Sequence, residues 1–309
     1  MTAVTKEILD GYQIRKSKKQ KQRFREYVRT YAQNCGYEVQ EEKAYGGKNL
    51  IVGDPERAKV VFTAHYDTCA AMPFPNFITP KSVPIYVLSQ LAIVVGFLIV
   101  AFGLGGAVGV AVAALGGSAE ISGLLASALY WVLLILLIAG PANKHTVNDN
   151  TSGVTLLLEL MAEIPEEMRE QAAFVFFDLE EMGLFGSSKF AEQHKKTMKD
   201  KLLLNFDCVS DGENILFVLR KKAGQHKETL EQAFASDDTV SVEVAGKGVI
   251  YPSDQINFPV GVGVAALKKS KKRGILYMDR IHTRRDVIYR KENIAFLKEG
   301  SIRLLQMLS

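Results

Sequence analysis

Hydrophobic and polar positions along this chain fall into short apolar runs separated by amphipathic stretches. Asn49-Leu50-Ile51-Val52-Gly53 and Lys59-Val60-Val61-Phe62-Thr63-Ala64-His65 predict two strands joined by a turn at Asp54-Pro55. The runs Phe174 to Phe177, Leu202 to Phe206, Ile215 to Leu219, Val260 to Leu267 and Ile275 to Met278 predict further strands. Helical spacing runs through Thr151 to Ile164, Lys227 to Ala235 and Ile294 to Leu308. Strands apolar on both faces that alternate with helices predict an α/β fold, with a mostly parallel mixed sheet covered by helices on both sides.

One block breaks the pattern. Between Val83 and Gly140 the only charge is Glu120, and Lys81 and Lys144 flank the block. It holds two segments long enough to cross a bilayer, roughly Pro84 to Leu104 or beyond and Ile121 to Ala139, with Gly116 to Glu120 as the turn. The expected organisation is therefore an α/β domain over residues 1–82 and 141–309, interrupted by a transmembrane hairpin over 83–140. Ala101, Gly105, Gly109, Ala113 and Gly117 recur every fourth position, the stripe of small residues that lets helices approach closely in lipid. Such a stripe suits packing within the hairpin or a homo-oligomer formed through it. Trp131 lies mid-segment and departs from an aromatic belt. The bland alternative is a soluble helical hairpin buried between subunits.

Charge then sets an orientation. Both ends of the hairpin must lie on one side, and the basic residues sit there, so the positive-inside rule expects a multi-pass membrane protein with two spans and a cytoplasmic domain. Arg15, Lys16, Lys18, Lys19, Lys21, Arg23, Arg25 and Arg29 fall within fifteen residues opposed only by Glu26. They interleave with apolar positions over about residues 5–34, which predicts one or two basic amphipathic helices and contact with anionic headgroups. A formal net charge of +4 gives no general sign of nucleic-acid binding. Cys35, Cys69 and Cys208 have no paired spacing, which suits a reducing compartment, and the first residues do not form a signal peptide.

Residues able to bind metal recur where predicted strands end or helices begin. His65-Tyr66-Asp67 ends a strand, Asn148-Asp149-Asn150-Thr151-Ser152-Gly153 opens a helix, and Asp207 ends the Leu202 strand. The Phe174 strand runs into Asp178-Leu179-Glu180-Glu181, and His282 lies in Asp279 to Val287. On an extended chain Glu180 and Glu181 would point to opposite sides, so one could bind a metal while the other handles protons. Taken singly these residues could be a structural histidine, a helix cap, a turn aspartate, or an Asp286 paired with Arg284 or Arg285. Together at successive sheet ends, two histidines and three carboxylates suit a pair of zinc ions with open positions for water.

The segments HisTyrAsp, AsnAspAsnThrSerGly, GluGluMetGlyLeuPheGlySer, AsnPheAsp and HisThrArgArgAspVal resemble metallopeptidase family 28. This is the co-catalytic dizinc exopeptidase family of aminopeptidases, glutamate carboxypeptidase and glutaminyl cyclase. The resemblance covers about Asn49 to Asp67 and Asn148 to the C-terminus. It implies His65, Asp149, Glu181, Asp207 and His282 as ligands of two Zn²⁺, with Asp149 bridging and with His65 and Glu181 on different ions. It further implies Asp67 orienting His65 and Glu180 as general base. Ser253-Asp254-Gln255-Ile256-Asn257-Phe258 resembles the family's SerAsp-His-x-x-Phe segment, with Gln255 where histidine is common. The expected function is a membrane-anchored aminopeptidase acting on apolar or membrane-derived peptides. The alternatives are an amidase acting on N-acyl amino acids or other amides, or a non-catalytic receptor that keeps the fold; the resemblance disfavours cyclisation of N-terminal glutamine, because that branch uses one zinc and this chain keeps the whole two-zinc set.

Overall fold

The computed structural model describes residues 1–308. In chain order the elements are α1 (Ala3–Gly11), α2 (Lys18–Asn34), β1 (Val39–Ala44), β2 (Gly47–Val52) and β3 (Val60–His65). The hairpin helices α3 (Val83–Ala114) and α4 (Ala119–Ala139) follow, then α5 (Gly153–Glu163), β4 (Ala172–Phe177), α6 (Phe185–Gln193) and β5 (Leu202–Phe206). The remainder is β6 (Asn214–Leu219), α7 (Lys227–Ala233), β7 (Ser241–Ala245), β8 (Gly261–Lys269), β9 (Leu276–Tyr277) and α8 (Lys291–Leu308).

The strands form one sheet in the order β1-β2-β4-β3-β5-β8-β6-β7, with β9 beside β8. Its centre, β4-β3-β5-β8, is parallel, and β2 and β6 join it antiparallel on either side. Every residue of β3, β4 and β5 is buried. Helices cover both faces of such a sheet, which explains why these strands are apolar without alternation. The fold is the expected mixed α/β sheet.

Local assignments differ in three places. β2 and β3 do not pair, because β4 inserts between them, antiparallel to the first and parallel to the second. The edge strands β1 and β7 were not expected, since Val39-Gln40-Glu41-Glu42-Lys43-Ala44 and Ser241-Val242-Glu243-Val244-Ala245 carry charges and are only half-buried. The strand before the paired glutamates stops at Phe177, and Leu179 and Leu184 take left-handed φ values of 60° and 61° around a turn. Glu180 and Glu181 therefore do not lie on an extended chain, and the opposite-face argument fails for them.

The basic N-terminal region is two helices, and part of its charge points inward. Arg15 is fully buried and donates to the Tyr66 and Tyr12 carbonyls and to Thr151 Oγ1. Lys21 pairs with Asp178, and Arg25 donates to the Tyr66 hydroxyl. Burial of a cation is tolerable only with such acceptors close by. Lys18, Lys19 and Arg23 remain exposed.

α3 and α4 pack antiparallel and stand clear of the sheet, each long and apolar enough to cross a membrane. Phe97 and Tyr130 meet edge to face at 5.9 Å, and a Cβ added to Gly105 would lie 3.3 Å from the Ala126 Cβ. The Ala101–Gly105 part of the small-residue stripe thus faces α4, whereas nothing lies within 4 Å of a Cβ at Gly109. The first turns of α3 dock on the domain, with Ser89 Oγ donating to the Phe77 carbonyl and Gln90 to Asn76.

Candidate active site

The parallel core brings three of the strand ends together. His65 closes β3 opposite Phe177 of β4, and Asp207 follows β5 on the other side of β3. Asp149 arrives from the turn Val147–Ser152 that leads into α5. Its neighbours explain the surrounding sequence. Asn148 Oδ1 accepts from the Ser210 and Asp211 N–H groups, and Asn150 donates to the Phe206 carbonyl while accepting from Cys208 and Gly153. The two asparagines stitch this turn to the segment after β5. Gly153 is required there, because a Cβ would lie 2.3 Å from the Phe206 carbonyl oxygen.

Two carboxylates act as braces. Asp67 accepts the N–H of Glu180 at 3.0 Å and of Glu181 at 3.3 Å, and its carbonyl oxygen lies 3.2 Å from His65 Nδ1. It thereby holds the imidazole and the glutamate turn together. Asp286 accepts the Asn148 N–H at 2.7 Å and the Asp149 N–H at 2.9 Å. It is buried and does not pair with Arg284 or Arg285. Sequence reasoning gave Asp286 only that surface reading, although HisThrArgArgAsp contained it.

All seven expected site residues converge. Asp149 turns one oxygen to each histidine, with Oδ1 3.3 Å from His65 Nε2 and Oδ2 2.9 Å from His282 Nε2. His65 Nε2 is also 3.5 Å from Asp207 Oδ1, and His282 Nε2 is 3.3 Å from Glu181 Oε2. Donor atoms of His65, Asp149 and Glu181 lie within 4.8 Å of one another, as do those of His65, Glu180 and Asp207, so either group could hold a metal ion. Cys69 joins Glu181 and His282 in a similar group, and Cys208 joins Asp149 and Asp207, neither of which the sequence suggested.

The electrostatics are those of a site with too much negative charge. Burial opposes protonation of His65, but Glu180, Asp149 and Asp207 push its pKa well above the ordinary histidine value. For His282, Glu181 and Asp149 likewise outweigh burial and raise it to about 9. Desolvation raises Glu180 well above the usual carboxylate range and Glu181 to about 8, with carboxylate neighbours adding to both. Asp149 is instead held below the ordinary carboxylate range, because both imidazoles hydrogen-bond it and outweigh burial. Glu181 Oε1 and Asp207 Oδ1 are buried without a hydrogen-bond partner. Groups that resist ionisation, next to orphaned acceptors, mark where a cation belongs.

Asp254 adds to this charge and was missed as a site residue. It is fully buried, neither carboxylate oxygen has a partner, and burial raises it to about 7. Gln255 does not reach the cluster by hydrogen bonding. Its Nε2 donates to the Tyr251 carbonyl, and its Oε1 accepts from Asn205.

A family model described as Peptidase family M28 matches residues 136–299, just over half of the chain. The chain belongs to peptidase family M28. Solved structures of this fold agree. The Legionella pneumophila LapA aminopeptidase superposes with a TM-score of 0.58 at 11% identity, covering 98% of this chain and 69% of that one. Porphyromonas gingivalis glutaminyl cyclase superposes with a TM-score of 0.60 at 16% identity, covering 99% and 96%. Bacteroides thetaiotaomicron glutaminyl cyclase bound to N-acetylhistamine gives 0.58 at 14%, covering 97% and 94%. These likenesses establish the fold shared by M28 peptidases and cyclases. No curated protein sequence matches the chain. The family match begins within α4, so the hairpin up to residue 135 lies outside it.

Proposed function

We propose that this M28 protein is a membrane-anchored, zinc-dependent aminopeptidase that removes N-terminal residues from apolar peptides at the membrane surface. The observation that carries the reading is Asp149, whose two carboxylate oxygens face two different histidines. One zinc ion would be held by His65, Asp207 and Asp149, and a second by His282, Glu181 and Asp149. The donor set of imidazoles and carboxylates suits zinc, and the unpartnered oxygens of Glu181 and Asp207 fit ligands. Bound there, the ions would supply Lewis acidity to a water and to the scissile carbonyl.

The rest of the chemistry falls to the chain. Glu180 lies beside His65 and Asp207, where it would take the proton of the attacking water and deliver it to the departing amine. The hydroxyl adds to the carbonyl carbon, the C–N bond breaks, and the carboxylate is regenerated. Asp67 keeps Glu180 and Glu181 in register throughout.

Access supports an apolar substrate. A cleft of about 340 Å³ leads to Glu181 and His282 and is lined also by Met72, Leu137, Ile138 and Met182. Leu137 and Ile138 belong to the last turn of α4, and Lys16 Nζ donates to the Ile138 carbonyl at 2.9 Å. If α3 and α4 span the bilayer, the cleft opens at its surface, with the domain on the cytoplasmic side that Lys81 and Lys144 favour. Cyclisation of N-terminal glutamine is the second reading, favoured by the near-complete overlap with two cyclase structures.

One assay separates these readings. The zinc-loaded protein in detergent is offered aminoacyl amides, N-acyl amino acids and a glutaminyl peptide. Release of the amine from leucyl or methionyl amides supports the proposal. Ammonia and a pyroglutamyl product from the glutaminyl peptide alone would replace it, and hydrolysis confined to N-acyl amino acids would make the protein an amidase.

A further inference from the structure

Four basic side chains, Lys144, His145, Arg284 and Arg285, border a second cavity of about 720 Å³, whose apolar walls include Pro73 and Ala142. All four are exposed. Arg285 is held by the Asp279 carbonyl and carboxylate, and Lys268 also pairs with Asp279. Among the described residues, the Lys144 and Arg284 side chains have no hydrogen-bond or ion-pair partner. The other nearby acid, Asp286, is buried and turned to the backbone of Asn148 and Asp149. Asp279 thus answers Arg285, while the charges of Lys144 and Arg284 are left unanswered and make the cavity cationic.

Its height along the hairpin is fixed by packing. α3 has 32 residues and α4 has 21, so α3 is about 48 Å long and α4 about 32 Å, against a hydrocarbon layer of about 30 Å. Pairing Phe97 with Tyr130 and Gly105 with Ala126 sets the end of α4 level with the region of Gln90. The turns of α3 before that point lie against the domain, which puts the bilayer boundary near Gln90 and Ala139. Ala142 to His145 follow that boundary directly, and Pro73 and Pro75 precede Asn76, the partner of Gln90. This cavity thus sits at headgroup level. It is also next to the catalytic cleft, since Met72 lines both and its N–H donates to the His282 carbonyl at 2.9 Å.

We infer that this cavity binds the phosphate headgroup of an anionic phospholipid from the leaflet in which α4 ends. The inference rests on the membrane reading of α3 and α4 given above. It locates lipid recognition at Lys144 and Arg284 rather than on α2, whose Lys21 and Arg25 are taken up internally. Phosphate suits the guanidinium and ammonium pair, and the apolar walls suit the glycerol and first acyl carbons.

The test uses the full-length, zinc-loaded protein in nanodiscs of phosphatidylcholine with phosphatidylglycerol. Native mass spectrometry counts the phosphatidylglycerol retained on the ejected protein. Wild type is expected to retain it in preference to phosphatidylcholine, and a Lys144→Gln/Arg284→Gln variant to lose about tenfold or more of that preference. A Lys18→Gln/Lys19→Gln variant should match wild type, and zinc content and disc incorporation should be equal in all three. Equal retention in wild type and the Lys144/Arg284 variant, or loss confined to the α2 variant, would overturn the inference while leaving the membrane reading in place. A wild-type chain that stays outside the discs would overturn the membrane reading, and this site with it.

Discussion

The carboxylate of Asp67 sits 3.0 Å from the backbone nitrogen of Glu180, joining the segments that leave the neighbouring strands β3 and β4. The proposed base is thus positioned by a residue on the same segment as the His65 imidazole. Replacing Asp67 by Ala would free the Glu180–Glu181 turn and remove the carboxylate 3.6 Å from His65 Nδ1, while the backbone carbonyl facing that nitrogen stays. Metal affinity and kcat are each expected to fall about tenfold to a hundredfold. Zinc titration and steady-state kinetics on an aminoacyl amide check this.

Glu180 itself can be separated from the metal set. A Glu180→Gln variant should keep the zinc content of wild type, because His65, Asp149, Asp207, Glu181 and His282 are untouched. Its kcat should drop by about 10² to 10⁴, the usual contribution of a general base. Turnover at the wild-type rate would remove Glu180 from its role.

Gly153 tests the stitching of the Asp149 turn. Ala at this position would press a methyl group against the Phe206 carbonyl oxygen and the Asn150 amide. A loss of about 1–3 kcal/mol is expected, as for overpacking a tight core. Thermal unfolding in detergent would register it as a lower Tm, with zinc affinity falling in parallel.

The protonation of the site predicts how the metal-free protein responds to pH. Glu181 moves from an ordinary value of 4.5 to about 8, and His282 from 6.5 to about 9. Both folded-state values are raised, so the native chain binds more protons than the unfolded one between these limits. Stability then falls with rising pH, with the His282 contribution intact below 6.5 and lost as pH passes 9. Chelated protein should unfold at progressively lower temperature from about pH 5 to pH 9. Zinc takes the place of those protons, so its affinity should rise over the same range.

Much of this arrangement was readable from the chain because the chemistry is tied to strand ends. His65 and Asp207 follow runs apolar enough to be buried strands, and parallel strands deliver their ends to one edge. The partners that aim these groups were harder to see. Asp286 works through backbone N–H groups of residues 137 and 138 positions away, and nothing in its neighbourhood announces that. Arg15 and Lys21 read as part of a basic run facing anionic headgroups, because charge patterning cannot register an internal acceptor such as the Tyr66 carbonyl or Asp178. Asp254 stands in the Ser253–Phe258 motif, yet its place as an unpartnered buried acid depends on how residues 253–258 fold against β8. The extended-chain argument for Glu180 and Glu181 fails, since the strand ends earlier and Asp67 supplies their placement.

The claim on which the rest depends is that Asp149 stands between two metal ions. Zinc stoichiometry of the purified full-length protein, measured by elemental mass spectrometry beside an Asp149→Ala variant, tests it directly. The account predicts about two zinc ions per chain in wild type and the loss of both in the variant. Wild type that binds none, or an Asp149→Ala variant that keeps both, would contradict it.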